Sequence, residues 1–259
     1  MTRRVHIVGC RRSGTTLMME LLWYAYRFSG RHQHEISVFE PIPDGQTLYL
    51  SKKPPDTTHI ERIFLADERL FLVAMMRDPR AVITSRHPSR PDVYFADYHR
   101  WLEYVHALST FRDHPRFLLV RYEDLVANPQ HEQARISAKF KFLEPLRAFE
   151  EFPDGAEVPE PARQSLGGAR AFDVSRTDGW REHLPRIKGQ LLDHPDLPDM
   201  LIETGYETND AWIELLDSVA PYRQKYKDGG PGRLRRFETN LRFAWKTRQY
   251  LQRLKAART

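Results

Sequence analysis

The feature that most constrains this chain is an apolar strand that runs through a glycine-bounded loop into a helix, within residues 5–22. The strand carries Val5, Ile7 and Val8, and the apolar residues of the helix recur at steps of three and four. Such a turn gathers free backbone N–H groups at the positive end of a helix dipole, where proteins bind anions. The sequence therefore predicts an anion-binding loop near residue 12.

The loop has the spacing of a nucleotide phosphate loop, G-x-x-x-x-G-K-[ST], with one departure. Gly9 and Gly14 occupy the two glycine positions, but Thr15 stands where that motif has lysine. The lysine normally reaches the outer phosphates of ATP, so its absence weighs against ATP chemistry. The basic residues come earlier, as Arg11 and Arg12. Taken alone, the loop is either an anion site or a structural turn between strand and helix.

A second polar group follows another strand. Leu70–Met76 is continuously apolar and of strand length, and Arg77 follows it directly. Pro79 suits the first turn of a helix, which places Ser85 about two turns into that helix. Open α/β folds bind ligands at the carboxyl ends of their strands, so Arg77 and Ser85 are predicted to face a ligand. A guanidinium and a hydroxyl are suited to binding a second phosphate.

These segments resemble the sulfotransferases that use 3′-phosphoadenosine 5′-phosphosulfate (PAPS), particularly bacterial members. The family's 5′-phosphosulfate loop reads roughly P-[KR]-S-G-T-T-x-L, which is similar to Arg11–Met18. Its 3′-phosphate element places a serine eight residues after an arginine, as Arg77 and Ser85 are placed. Leu118–Leu125, with its Tyr-Glu-Asp, and Ser175–Arg181, with its Gly-Trp-Arg, resemble later family segments. The four segments occur in family order.

The resemblance implies an α/β fold with a parallel β-sheet flanked by helices, the P-loop-containing nucleotide-hydrolase-like fold of sulfotransferases. Strand-like and helix-like patterns alternate along the chain, which agrees with a parallel sheet covered on both faces. Proline-rich residues 144–175 are predicted to be a long irregular segment. The other predicted elements, in chain order, are a helix near 60–64, a helix at 94–112, a strand at 117–120, a helix at 129–143 and helices within 180–222.

The resemblance also implies a donor site, with PAPS as sulfuryl donor, its bisphosphate PAP as product, and no required metal. Tyr122 is expected near the adenine and Arg176 at the 3′-phosphate. The full set of implied donor-binding residues is Arg11, Arg12, Ser13, Gly14, Thr15, Thr16, Arg77, Ser85, Tyr122 and Arg176.

Three residues are assigned to catalysis by the same resemblance. Arg12 stands where family members carry a catalytic Lys or Arg, and Lys52 resembles the lysine of a Lys-x-Pro segment that would steady the sulfuryl oxygens. Glu40, in Val-Phe-Glu-Pro, is similar to the glutamates that deprotonate the acceptor. Glu35 and His87 are weaker candidates for that base. The acceptor would supply a hydroxyl or amine from a carbohydrate, a tyrosyl peptide, a lipid or a small phenol.

Two alternatives from other classes remain open. A kinase-like enzyme would use Asp78, at the end of the apolar strand, to hold magnesium with ATP. A noncatalytic nucleotide-binding protein would use the same loop without turnover. Histidines are scattered along the chain and no compact set of metal ligands is evident, so no metal site is predicted.

Length, apolar runs and cysteine content limit the domain size and the cellular location that we expect. The 259 residues can form one large α/β domain, and no apolar run approaches the length of a membrane span. The first strand begins too early to leave room for a signal peptide, and the single cysteine, Cys10, suits a reducing compartment. A cytoplasmic protein is therefore predicted.

The basic character of the chain is concentrated at its end. The formal net charge is +5, while residues 233–259 hold nine Lys and Arg and one acid. The remaining body is slightly acidic, so no nucleic-acid partner is predicted. We predict a sulfotransferase domain at 1–227, and a glycine-rich break with a basic amphipathic helix at 228–259. Through residues 233–258, that helix either contacts an anionic membrane or a protein partner, or docks on its own domain.

Overall fold

The computed structural model of the chain describes residues 2–87, 90–166, 172, 174–223 and 233–257. Five parallel strands form one sheet in the order β2–β3–β1–β4–β7, and β5 and β6 form a separate antiparallel pair. In chain order, the strands are β1 (Arg3–Gly9), β2 (Gly30–Arg31), β3 (Leu48–Lys52), β4 (Leu70–Met76), β5 (Arg86–His87), β6 (Arg90–Tyr94) and β7 (Phe117–Arg121).

The helices lie between and after these strands. In chain order they are α1 (Thr15–Ala25), α2 (Glu61–Ala66), α3 (Pro79–Ile83), α4 (Tyr98–Ser109), α5 (Tyr122–Ala127), α6 (Pro129–Lys139), α7 (Phe152–Gly155), α8 (Glu160–Leu166), α9 (Leu184–Asp193), α10 (Leu197–Glu203) and α11 (Arg233–Ala256). Short 3₁₀ turns are found at Pro54–His59, Phe149–Glu151, Val174–Thr177, Gly179–His183 and Ala211–Leu216.

The sheet is buried on both faces, as expected for parallel strands. Along β4, successive side chains point to opposite sides. Leu72 and Ala74 join an apolar cluster with residues of α2 and α4. Val73 and Met75 join another cluster with residues of α1 and α6. The predicted α/β fold, with helices flanking a parallel sheet, is confirmed.

The stretch 144–175 differs from the predicted irregular segment. Several short helices and turns form there, and Phe149 and Phe152 are fully buried in the core that contains α1. Their rings pack edge-on against Tyr26 and Tyr24, at the carboxyl end of α1. Aromatic burial therefore holds this segment on the sheet despite its prolines, which are tolerated at helix starts.

The position of Ser85 also differs from the prediction, because α3 ends at Ile83 and Ser85 lies beyond it. The Thr84 hydroxyl donates to the carbonyl oxygen of Arg80 at 2.7 Å. Hydroxyl side chains compete with the backbone for such bonds, and the β-branched residues before Thr84 favour extended structure. The chain therefore leaves the helix after little more than one turn and continues into β5.

The last helix, α11, packs on the body through its carboxyl-terminal half. The Tyr250 hydroxyl donates to Asp67 at 2.7 Å, and Lys246 lies 2.9 Å from a Glu40 carboxylate oxygen. Phe243 stacks on His59 with ring centroids 3.8 Å apart. The predicted break at 228–232 lies outside the described residues, so the boundary at 227 stays a prediction. Among the described helices, none is long and apolar enough to cross a membrane.

Candidate active site

The loop after β1 is built on residues with positive φ. Gly9 has φ of 127°, Arg12 of 73° and Gly14 of 91°. A Cβ atom added at Gly14 would lie 2.6 Å from Tyr122 Cδ2, and one at Gly9 would lie 2.2 Å from the carbonyl oxygen of Met75. Only glycine lets the backbone turn this tightly against β4 and Tyr122.

The loop leaves the start of α1 open to an anion. Gly14 precedes the helix and no side chain caps the N–H groups of the first turn. Such N–H groups lack partners within the helix and attract negative charge. Ser13 is fully buried and its hydroxyl donates to the carbonyl oxygen of Cys10 at 2.5 Å. Ser13 therefore shapes the loop through its side chain.

Four predicted donor-binding residues meet at this loop. Arg12 Nε donates to Ser85 Oγ at 2.6 Å, across 73 positions of sequence. Arg77 Nη1 donates to the carbonyl oxygen of Arg12 at 3.2 Å, and its guanidinium lies 4.3 Å from the centre of the Tyr122 ring. Arg11 reaches outward, with its guanidinium 5.7 Å from the Phe95 ring. The carboxyl end of β4 thus brings Arg77 and Ser85 to the loop after β1.

The electrostatics of Arg12 are those of an anion site. Burial lowers the pKa of Arg12, and the positive charge of Arg77 lowers it further. Among the described residues, no acid offsets these effects on Arg12. Two half-buried guanidinium groups held together favour a bound anion, which would compensate the charge of Arg12.

Lys52 forms a second group at the start of α1. It ends β3, and its Nζ donates to Thr16 Oγ1 at 2.9 Å and lies 3.8 Å from Glu35 Oε1. The Lys52 side chain is 6% exposed and that of Glu35 is 30% exposed. Burial lowers the pKa of Lys52, while the charges of Glu35 and Glu20 act in the opposite direction. The ammonium is thus fixed between a hydroxyl and a carboxylate that solvent can reach.

Glu40 is not brought to this group. Its carbonyl oxygen accepts a hydrogen bond from Arg4, near the amino end of β1, at 3.0 Å. Its carboxylate pairs with Lys246 of α11 and is 48% exposed. The chain before it is anchored by Asp56, which accepts from the backbone N–H of Val38 at 2.6 Å. These bonds tie Glu40 to Arg4, near the amino end of β1, and to α11.

The remaining candidates are placed as follows. Thr15 is buried and begins α1. Arg176 lies in the turn Val174–Thr177 and His87 lies in β5, but both side chains lie outside the described part of the structure. Asp78, the magnesium ligand of the kinase alternative, caps α3 by accepting from the N–H of Arg80 at 2.7 Å, and it pairs with that guanidinium.

The tight packing at Gly14 gives a prediction about stability. We expect Gly14→Ala to lower the free energy of unfolding by about 2–4 kcal/mol, because it adds a steric clash with Tyr122 to a strained φ. Gly45→Ala is the matched control, since Gly45 has φ of 79° with no neighbouring atom within 4 Å. Its cost should be about 1–2 kcal/mol, from backbone strain alone. Urea unfolding measures both, and equal costs would contradict the packing argument.

Comparison with known proteins finds a family model that matches part of the chain. A family model described as "Sulfotransferase family" matches residues 23–142, a span that contains Arg77, Ser85 and Tyr122 and begins after the loop. The sulfotransferase domain from the curacin biosynthetic pathway aligns with a TM-score of 0.52 and 15% identity, over 80% of this chain and 99% of that one.

Two other solved structures align less closely. The sulfotransferase domain of a Synechococcus olefin synthase has a TM-score of 0.48 and 15% identity, over 70% of this chain and 88% of that one. A mouse sulfotransferase complexed with PAP has a TM-score of 0.47 and 13% identity, over 84% and 89%. No curated protein sequence matches the chain significantly. The chain is thus similar to the sulfotransferase family over residues 23–142, and it shares the fold of the sulfotransferase domain from the curacin pathway.

Proposed function

We propose that this protein is a sulfotransferase that uses PAPS as donor and transfers its sulfuryl group to an acceptor hydroxyl or amine by in-line displacement. One observation carries the proposal. Arg12 and Arg77, far apart in sequence, lie together and half-buried beside the open start of α1, where Arg12 also binds Ser85 and no described acid offsets the charge on Arg12. A ligand with separate anionic groups fits such a pocket.

The residues present fit a bisphosphorylated adenosine. The N–H groups at Gly14 and Thr15 and the Arg12 guanidinium suit the 5′-phosphosulfate, while Arg77 and Ser85 suit the 3′-phosphate. Tyr122 offers an aromatic face next to this pair. When bound, PAPS would supply the sulfuryl group and leave as PAP. Charge then grows on the 5′-phosphate oxygen, and fixed donors aimed there lower the barrier.

We propose Glu35 as the base, in place of Glu40. The Glu35 carboxylate is partly exposed and adjoins Lys52, which in turn contacts Thr16 in the first turn of α1. From there, Glu35 can accept the acceptor proton as the new oxygen–sulfur bond forms, while Lys52 steadies the sulfuryl oxygens. Glu40 instead contacts Arg4, near the amino end of β1, and α11.

The kinase alternative has less support from this geometry. Magnesium needs carboxylate oxygens that are free to bind the ion and its phosphates. The Asp78 side chain is instead bound to the backbone and guanidinium of Arg80, whose other nitrogen lies 2.6 Å from Glu207. This network explains Asp78 as a structural residue.

Calorimetry tests the donor proposal directly. We expect PAP to bind the purified chain, and Arg77→Ala combined with Ser85→Ala to weaken binding by about ten- to a hundredfold, the worth of charge-assisted hydrogen bonds. Arg27→Ala is the control, because Arg27 lies on the surface and pairs only with Glu144 among the contacts described. Tighter binding of magnesium-ATP than of PAP, or PAP binding insensitive to the double substitution, would refute the proposal.

A further inference from the structure

The amino-terminal half of α11 presents an apolar stripe to solvent. Leu234, Phe237, Leu241 and Trp245 are 82%, 63%, 55% and 59% exposed. They follow one another at steps of three, four and four residues, so they share one face of the helix. Contiguous apolar surface of this kind is uncommon on a soluble protein and usually marks a contact surface.

The opposite face of α11 packs against the body of the protein. Phe243, Thr247, Tyr250 and Leu254 follow one another at steps of four, three and four, and they pack on the body or are buried there. The Tyr250 bond to Asp67 and the Lys246 pair with Glu40 fix this face in place. The helix is therefore held by one side, and its stripe cannot turn inward without breaking those contacts.

The stripe is flanked by positive charge. Arg235 and Arg242 each lie one residue beyond a leucine of the stripe, and Arg248 lies one turn beyond Trp245. All three are exposed, and Glu238 is the one acid of the helix. A bulky apolar stripe that contains tryptophan and is bordered by arginine is the pattern of helices that lie on an anionic membrane surface.

We propose that α11 binds this protein to an anionic bilayer surface, with Leu234, Phe237, Leu241 and Trp245 entering the headgroup region and the flanking arginines pairing with lipid phosphates and carboxylates. A second copy of the chain fits the same surface poorly. In a two-fold interface the same patch meets itself, which would bring the arginines of both copies together. The proposal is independent of the sulfotransferase chemistry.

Vesicle cosedimentation of the full chain tests the proposal. We expect strong binding to vesicles of phosphatidylcholine and phosphatidylserine in equal parts, and much weaker binding to phosphatidylcholine alone. Combining Arg235→Gln, Arg242→Gln and Arg248→Gln should weaken binding by about a hundredfold, since each cation near an anionic surface contributes about fivefold. Combining Leu241→Gln and Trp245→Gln should also weaken it, through the loss of apolar contact.

Matched substitutions elsewhere control for charge and hydrophobicity. Arg27→Gln, Arg62→Gln and Arg112→Gln remove three exposed cations from the body, and Leu192→Gln removes an exposed leucine from α9. These variants should bind like the wild type. Equal binding to both kinds of vesicle, or binding unchanged by the α11 substitutions, would overturn the proposal. So would a dimer in solution that Trp245→Gln dissociates, because the stripe would then belong to a second copy.

Discussion

Glu35→Gln is expected to lower kcat of sulfuryl transfer by about a hundredfold to ten-thousandfold, the usual contribution of a positioned general base. The amide has nearly the shape of the carboxylate but cannot take the acceptor proton. The contacts proposed to hold the donor lie at Arg12, Arg77 and Ser85, so PAP affinity measured by calorimetry should change little. The loss should therefore appear in turnover and not in donor binding.

Glu40→Gln is the matched control for this result. Glu40 carries the same side chain only five residues away in sequence, but its carboxylate pairs with Lys246 on the surface. Exposed ion pairs of this kind contribute little to stability, so the variant should fold and turn over like the wild type. A large loss of turnover in Glu40→Gln together with an active Glu35→Gln would show that Glu40 is the base after all.

The contrast between these two glutamates shows what sequence reasoning could and could not reach. Spacing from the loop, and the adjacent proline, favoured Glu40. In the structure, Asp56 binds the backbone at Val38, and Arg4 binds the carbonyl oxygens of Val38 and Glu40. These contacts join residues distant in sequence and turn Glu40 toward α11. No local sequence pattern predicts these contacts, because they depend on which buried polar groups meet once the sheet has formed.

The elements that were predicted well are those with a strong local signal. β4 is found at the predicted Leu70–Met76, since a continuous apolar run of that length fits a buried strand. β3 was missed, because Ser51 and Lys52 interrupt its apolar pattern. Both are nevertheless buried, and Ser51 is satisfied by a hydrogen bond to His6 at 2.8 Å. Hydrophobic periodicity counts every polar residue as exposed, so it does not predict a strand in which polar residues are buried and hydrogen-bonded.

Ser85 illustrates a different relation between sequence and site. The prediction placed it inside a helix, yet the structure places it after α3 and still beside Arg12. The end of β4 fixes where the chain emerges from the sheet, and α3 is too short to carry Ser85 far away. Topology thus brought the side chains together even though the local conformation was predicted wrongly.

Lys52→Met is expected to lower kcat by about a hundredfold to a thousandfold, the effect of removing one fixed donor from developing negative charge. Methionine is unbranched and only one atom shorter than lysine, so it fills most of the same buried space beside Thr16. Lys53→Met is the control, because Lys53 is the neighbouring cation and is only partly buried. Steady-state kinetics with PAPS and a screened acceptor measures both. Equal losses in the two variants would indicate a general electrostatic effect and contradict a specific role for Lys52.

Titration of the same lysine is expected to make activity fall at alkaline pH. The cation is the active form of Lys52, and burial lowers its pKa, so activity should fall on the alkaline side below the pH at which an exposed lysine would titrate. Glu35 raises that pKa, and Glu35→Gln should therefore move the alkaline limb of its residual activity to lower pH. Lys52→Arg should abolish this limb, because a guanidinium remains charged across the range. An alkaline limb that is unchanged in Lys52→Arg would contradict this prediction, because the titration would then belong to another group.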